Sequence, residues 1–176
     1  MVYLLGCDHY LQEYDRTESI DELWAVERET KEQFYKLTRG VIESERIQFV
    51  GEECKQGQKT IPRVLATELG CSYAEIDMPL EERESRGIAR DYQRLGDEER
   101  TRVYNVREDY MVRRAYSESG TSFRKLIVCG AEHLDGLEAR FGASGEAVTT
   151  RDLTKEDWVL AIYKKKEEFL LGRAKR

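Results

Sequence analysis

Short apolar runs alternate with longer amphipathic stretches along this chain, and that alternation constrains the fold more than any single residue does. It is the pattern of a parallel sheet covered by helices. Strands are predicted at Val2 to Leu5, Arg46 to Val50, Ser72 to Ile76 and Lys125 to Cys129, the run "RKLIVCG" being the clearest. The expected fold is α/β, a mainly parallel sheet flanked by helices, with residues 1–176 forming a single domain. No repeat, linker or low-complexity segment divides the chain.

The helices are read from apolar spacing and from their stops. Residues 19–45 predict one long helix, with Ile20, Leu23, Trp24, Phe34, Leu37, Val41 and Ile42 at near-helical intervals and Ser19 or Asp21 as cap. "TIPRVLATELG" predicts a second, with Thr60 as cap, Pro62 in the first turn and Gly70 as its stop. The charged stretch from Pro79 to Tyr116 reads as two helices broken near Gly96, the second from Asp97 to Ala115. A short helix from Leu134 to Phe141, an extended piece around Glu146 to Thr149, and a closing amphipathic helix capped at Thr154 complete the prediction.

Composition removes several functions. The net charge of −6, from 29 basic and 35 acidic residues, argues against a binder of phosphate backbones, which concentrates Lys and Arg. The basic cluster near the end, "YKKKEEF" and "GRAKR", reads as cations at a helix C-terminus. No segment approaches the ~20 apolar residues needed to cross a bilayer, and "MVYLL" lacks the form of a secretion signal. A cytoplasmic location is expected, with no membrane and no nucleic-acid partner. Cys7, Cys54, Cys71 and Cys129 have no paired spacing and are expected as free thiols.

Only two His occur, and both follow a strand-ending Gly by three residues: "VYLLGCDH" gives His9 and "KLIVCGAEH" gives His133. Ligands of open parallel sheets bind beyond the carboxyl ends of the strands. Two strands are thus expected to deliver two imidazoles to one edge, each Gly allowing a sharp turn or a close approach. The second strand adds Glu52 and Glu53. Neighbours on an extended chain point opposite ways, so one of them enters the site, and Glu52 is preferred. In "VREDYMVRR", Arg107, Tyr110, Met111 and Arg114 share one helical face, with Arg107 suited to a carboxylate or an oxyanion. Taken singly, each of these residues is more often structural.

Together the four segments resemble the EreA/ChaN-like superfamily, which includes the TraB and TIKI proteins and the erythromycin esterases. The matching motifs are Gly6-Cys-Asp-His9, Val50-Gly-Glu52, Arg107-Glu-Asp-Tyr-Met111 and Gly130-Ala-Glu-His133-Leu-Asp-Gly136, spread over residues 2–140. Val106 and Glu108 depart from the pattern, Glu108 standing where Asn or Asp is common.

The resemblance implies a hydrolase-like site for an ester, amide or phosphoester-like bond in a small-molecule or peptide substrate. His9, Glu52, Arg107 and His133 are its centre. In one version His9, Glu52 and His133 ligate a divalent metal, Mn or Zn, leaving a position for water. In the other, one imidazole deprotonates water, Glu52 orients it, and the second imidazole with Arg107 stabilises the oxyanion. No nucleotide cofactor is expected. The alternative is a binding or regulatory module on the same scaffold without turnover. The tail helix, with Trp158, Val159, Ile162 and Tyr163 on one face, could instead support a homo-oligomer, although packing on its own sheet is expected.

Overall fold

The computed structural model describes the backbone of residues 1–14, 22–54, 57–88, 96–121 and 123–174. Among the described residues five parallel strands form a sheet: β1 (Val2–Cys7), β2 (Phe49–Glu52), β3 (Ser72–Glu75), β4 (Lys125–Gly130) and β5 (Val148–Asp152), in spatial order β3-β2-β4-β1-β5. The central β4 is buried at all six positions, which explains its unbroken apolar run. The edge strand β3 is only partly buried.

Helices cover both faces. On one side α1 (His9–Gln12), α2 (Glu22–Ser44), α3 (Ile61–Glu68) and α7 (Asp157–Ala174) surround a core of Leu5, Phe34, Val50, Leu65, Val128 and Val159. On the other, α5 (Asp97–Ser119) and α6 (Leu134–Ala143) pack Met111, Val112, Leu137 and Phe141 against Leu4, Phe49 and Ile127. The short α4 (Leu80–Ser85) follows β3. The tail helix buries Val159 and Ile162 in its own domain, as its pattern predicts. No described helix is long and apolar enough to cross a membrane.

The differences from prediction have local causes. The second strand starts at Phe49 rather than Arg46, because Arg46 takes a left-handed conformation (φ 51°) and Ile47 N–H closes back onto the Ile42 carbonyl to end α2. The piece predicted at 146–149 is a full strand, pairing in parallel from Val2↔Val148 to Gly6↔Asp152. The second charged helix continues past Ala115 to Ser119, where Gly120 at φ 68° ends it. Thr154 does not cap α7. It lies in a 3₁₀ turn, Leu153–Lys155, and its N–H donates to Asp152 at 3.0 Å. Thr60 does cap α3, accepting from Arg63 N at 3.4 Å. The proposed caps Ser19 and Asp21 lie outside the described residues, as do residues 89–95 of the first charged helix and the side chains of Leu23 and Trp24.

Candidate functional site

The carboxyl ends of β1, β2 and β4 meet where β4 has been inserted between the two earlier strands. Along β2, Phe49 and Gly51 face α5 and α6, since a Cβ on Gly51 would lie among Ile127, Ile76 and Phe49. Val50 and Glu52 face the opposite layer. Pleat alternation carries Glu53 to the α5 side. Glu53, not Glu52, therefore joins Arg107 and His133.

Glu53 is the node of the cluster and is only 2% exposed. Its Oε2 accepts from Gly130 N at 2.7 Å, tying the end of β2 to the end of β4. Its Oε1 accepts from Arg107 Nη2 and lies 3.4 Å from His133 Nε2 and 3.8 Å from His9 Nε2. Burial alone would raise the Glu53 carboxyl, but the hydrogen bond and charge of His133, with Arg107 and His9, hold it well below the usual range. It stays ionised.

Arg107 reaches this node from the third turn of α5. Its Nη2 also donates to Asp77 Oδ1 and Oδ2 at 3.0 Å, and its Nε to Oδ1 at 3.2 Å. Asp77, in the loop after β3, additionally accepts from Arg83 and from Met78 N. A buried guanidinium is thus held between two carboxylates, which suits Arg better than Lys because its donors form a planar fork.

His133 is fully buried. Its Nδ1 lies 3.0 Å from Glu108 Oε1, and its Nε2 lies 3.2 Å from Arg107 Nη1. Burial opposes a charge here, but the carboxylates of Glu108 and Glu53 outweigh it and raise the imidazole to about 9. The raised value favours the imidazolium at neutral pH, which donates from Nδ1 to Glu108 and sits within ion-pair distance of Glu53. Tyr104 packs edge-on against its ring at 4.9 Å. Behind it, Glu108 Oε2 pairs with Arg140 Nη1 at 2.8 Å.

His9 is different in kind. It opens α1 at the rim, with its side chain 54% exposed. It borders a cleft of about 810 Å³ lined also by Gln12, Glu53, Tyr73, Asp77 and Arg107. His133 stands behind Glu53 and Arg107 rather than in the cleft wall. The two His are delivered to one edge, one facing the cleft and one supporting it.

Neither motif Gly takes a left-handed φ. Gly6 instead allows a close approach within the protein: a Cβ there would lie 2.4 Å from Leu134 Cδ1, the residue after His133. Gly136 does the same for Glu108, whose Oε2 would lie 1.9 Å from an added Cβ. All four Cys are free. Burial raises the thiols of Cys7 and Cys129 well above the usual value, and that of Cys54 to about 12, so they are inert as nucleophiles.

Glu52 has its own environment. Its Oε2 accepts from Thr60 Oγ1 at 2.5 Å and from the Tyr73 hydroxyl at 2.8 Å. Burial raises this carboxyl to about 7, the hydroxyls offsetting part of the effect.

The metal set His9, Glu52 and His133 does not fit this arrangement. Glu52 points to the other side of the sheet, and His133 uses both ring nitrogens on protein partners. Substituting Glu53 does not repair the set, because the Arg107 guanidinium already binds the oxygen that a cation would take. No family model, curated protein or solved structure matches the chain.

Three contributors escape the sequence reading: Asp77, Glu108 as a partner of His133, and Glu53 in place of Glu52. For Glu108 the available signal was its position beside Arg107 on a helix with little apolar content.

Proposed function

We propose that this chain is a cytoplasmic hydrolase of the EreA/ChaN-like kind, acting on an ester, amide or phosphoester-like bond. The observation that carries the reading is the surrounding of one Glu53 oxygen by a buried guanidinium, a buried imidazolium and an exposed imidazole, at the edge of a cleft. Cavities of roughly 300 to 1,000 Å³ suit small-molecule ligands.

The chemistry follows from which groups reach the cleft. His9, with Nε2 towards Glu53, presents Nδ1 as a base for water, and the Glu53 carboxylate stabilises the imidazolium that forms. Arg107 supplies positive charge for the developing oxyanion. His133, Asp77 and Glu108 hold Glu53 and Arg107 in place.

A second reading is supported by the charge balance of Arg107, which Glu53 and Asp77 already neutralise. Such a closed network also suits a module that binds a ligand without turnover.

The test is turnover of acetate esters, amides and phosphate monoesters by wild-type protein and His9→Ala, both treated with chelator. Wild-type hydrolysis, reduced about 100-fold or more in the variant, is the expected result. Turnover that vanishes with chelator and returns with Mn or Zn would replace this mechanism by the metal version. No turnover on any probe would favour the binding module.

A further inference from the structure

We propose that Tyr73 is the acid that protonates the leaving group in this cleft, and that Glu52, on the opposite side of the sheet from Glu53, positions Tyr73 and supplies its proton. The inference rests on the hydrolase reading above and adds a second pair of residues to it.

The geometry singles out Glu52. It is fully buried, yet its partners are neutral: the hydroxyls of Thr60 and Tyr73 converge on Oε2. The Gln12 amide, turned so that its nitrogen faces inward, spans the Glu53 carbonyl at 2.9 Å and Glu52 Oε1 at 3.3 Å. A buried carboxyl paired only with neutral groups adds no ion pair to stability, and water is its preferred surrounding when ionised. It is well suited to carrying a proton.

Tyr73 connects that carboxyl to the cleft. It lines the cleft wall, with its hydroxyl on Glu52 and 3.5 Å from Cys54 Sγ, and Arg63 lies over its ring at 5.6 Å. Gln12 lines the same cleft and sits on the short helix that begins with His9. Base and acid therefore line one cleft, and Gln12, on the helix that bears His9, joins the Glu53 main-chain carbonyl to the Glu52 carboxyl. Because the phenol hydroxyl both donates and accepts, it can accept from a protonated Glu52 while giving its own proton to the cleft.

The step balances. Water adds through oxygen to the carbonyl carbon, and His9 takes its proton. The tetrahedral intermediate breaks its bond to the leaving oxygen, which takes the Tyr73 proton as the Glu52 proton moves to the phenolic oxygen. The His9 proton then returns through solvent to the Glu52 carboxylate.

The experiment is a series of acetate esters whose leaving groups run from 4-nitrophenol to ethanol, with kcat and KM measured for wild type, Tyr73→Phe, Glu52→Gln and His9→Ala. General-acid assistance matters most for poor leaving groups. Tyr73→Phe is therefore expected to lose rate increasingly along the series, reaching roughly 100-fold in kcat for the alkyl ester. Glu52→Gln retains an acceptor for Tyr73 without a transferable proton, and is expected to steepen the same dependence in kcat with KM little changed. His9→Ala is expected to lower every member alike. A wild-type leaving-group dependence retained in both Tyr73→Phe and Glu52→Gln, while His9→Ala is inactive, overturns this inference alone. Absence of wild-type turnover on the whole series overturns it, and the hydrolase reading falls with it when the amide and phosphate monoester probes are inert as well.

Discussion

His133 Nδ1 and Glu108 Oε1 lie 3.0 Å apart in the interior, and Gly136 provides the space that Glu108 needs to be there. Residues from α5 and from the second Gly-x-x-His motif are thereby locked into one hydrogen-bonded unit. Since His133 also faces Glu53, its charge state and the position of the central carboxylate are linked.

That link gives the first prediction. The folded value of His133 is raised from 6.5 to about 9, so its stabilising contribution is complete below 6.5 and is lost as pH rises through about 9. Glu108→Gln should bring the His133 titration down towards its ordinary range and flatten the alkaline loss of stability. Gly136→Ala should act in the same direction by displacing Glu108. Imidazole NMR titration reads this directly, because the chain has only two His. An unshifted His133 in both variants would refute the coupling.

Arg107 gives the second. Removing one member of a buried ion pair leaves uncompensated charge and typically costs about 3 to 5 kcal/mol. Arg107→Met should approach that range, because both Glu53 and Asp77 lose a cation. Arg107→Lys should recover only part of it, since a point charge cannot span both carboxylates. Denaturant unfolding measures both, and a loss below about 1 kcal/mol in Arg107→Met would show that the network contributes little.

The third concerns Glu52. Its folded value is raised to about 7, so burial is tolerated below the unfolded value near 4.5, and its contribution is lost as pH rises through 7. Glu52→Gln should match the wild type at pH 5 and exceed it in stability at pH 8, by on the order of 2 kcal/mol. Unfolding at the two pH values decides it; equal stability at both would mean that Glu52 ionises without cost.

These sites show what the sequence could and could not convey. The parallel strands were legible because buried strands such as "KLIVCG" need apolar residues on both faces, and the helices because one face alone is apolar. β5 was only partly legible: at the sheet edge, "VTTRD" has little apolar content to mark it. The choice between Glu52 and Glu53 depended on which face α5 covers. Phe49 and Val50 are both buried and apolar, so the strand pattern does not fix that face. The meeting of Asp77 with Arg107 is a tertiary contact between a loop and a helix with no periodic trace.

The two motifs are also joined through Gly6, and this gives the last prediction. Gly6 pairs with Cys129 in the β1–β4 ladder, and Leu134 packs against its bare Cα face. A methyl group there would meet Leu134 Cδ1 at 2.4 Å and Cγ at 2.6 Å, well inside contact. Overpacking of this kind typically costs about 1 to 3 kcal/mol. Gly6→Ala should fall in that range, and the displacement of Leu134 should carry to the adjacent His133. Leu134→Ala alone should also destabilise, by about 2 to 5 kcal/mol, because it removes a buried side chain. The double variant should then be more stable than the sum of the two losses predicts, since the added methyl group enters space that Leu134 has vacated. A double-mutant cycle by denaturant unfolding checks this. Strict additivity would mean that Gly6 serves the strand backbone and not the seating of the second motif.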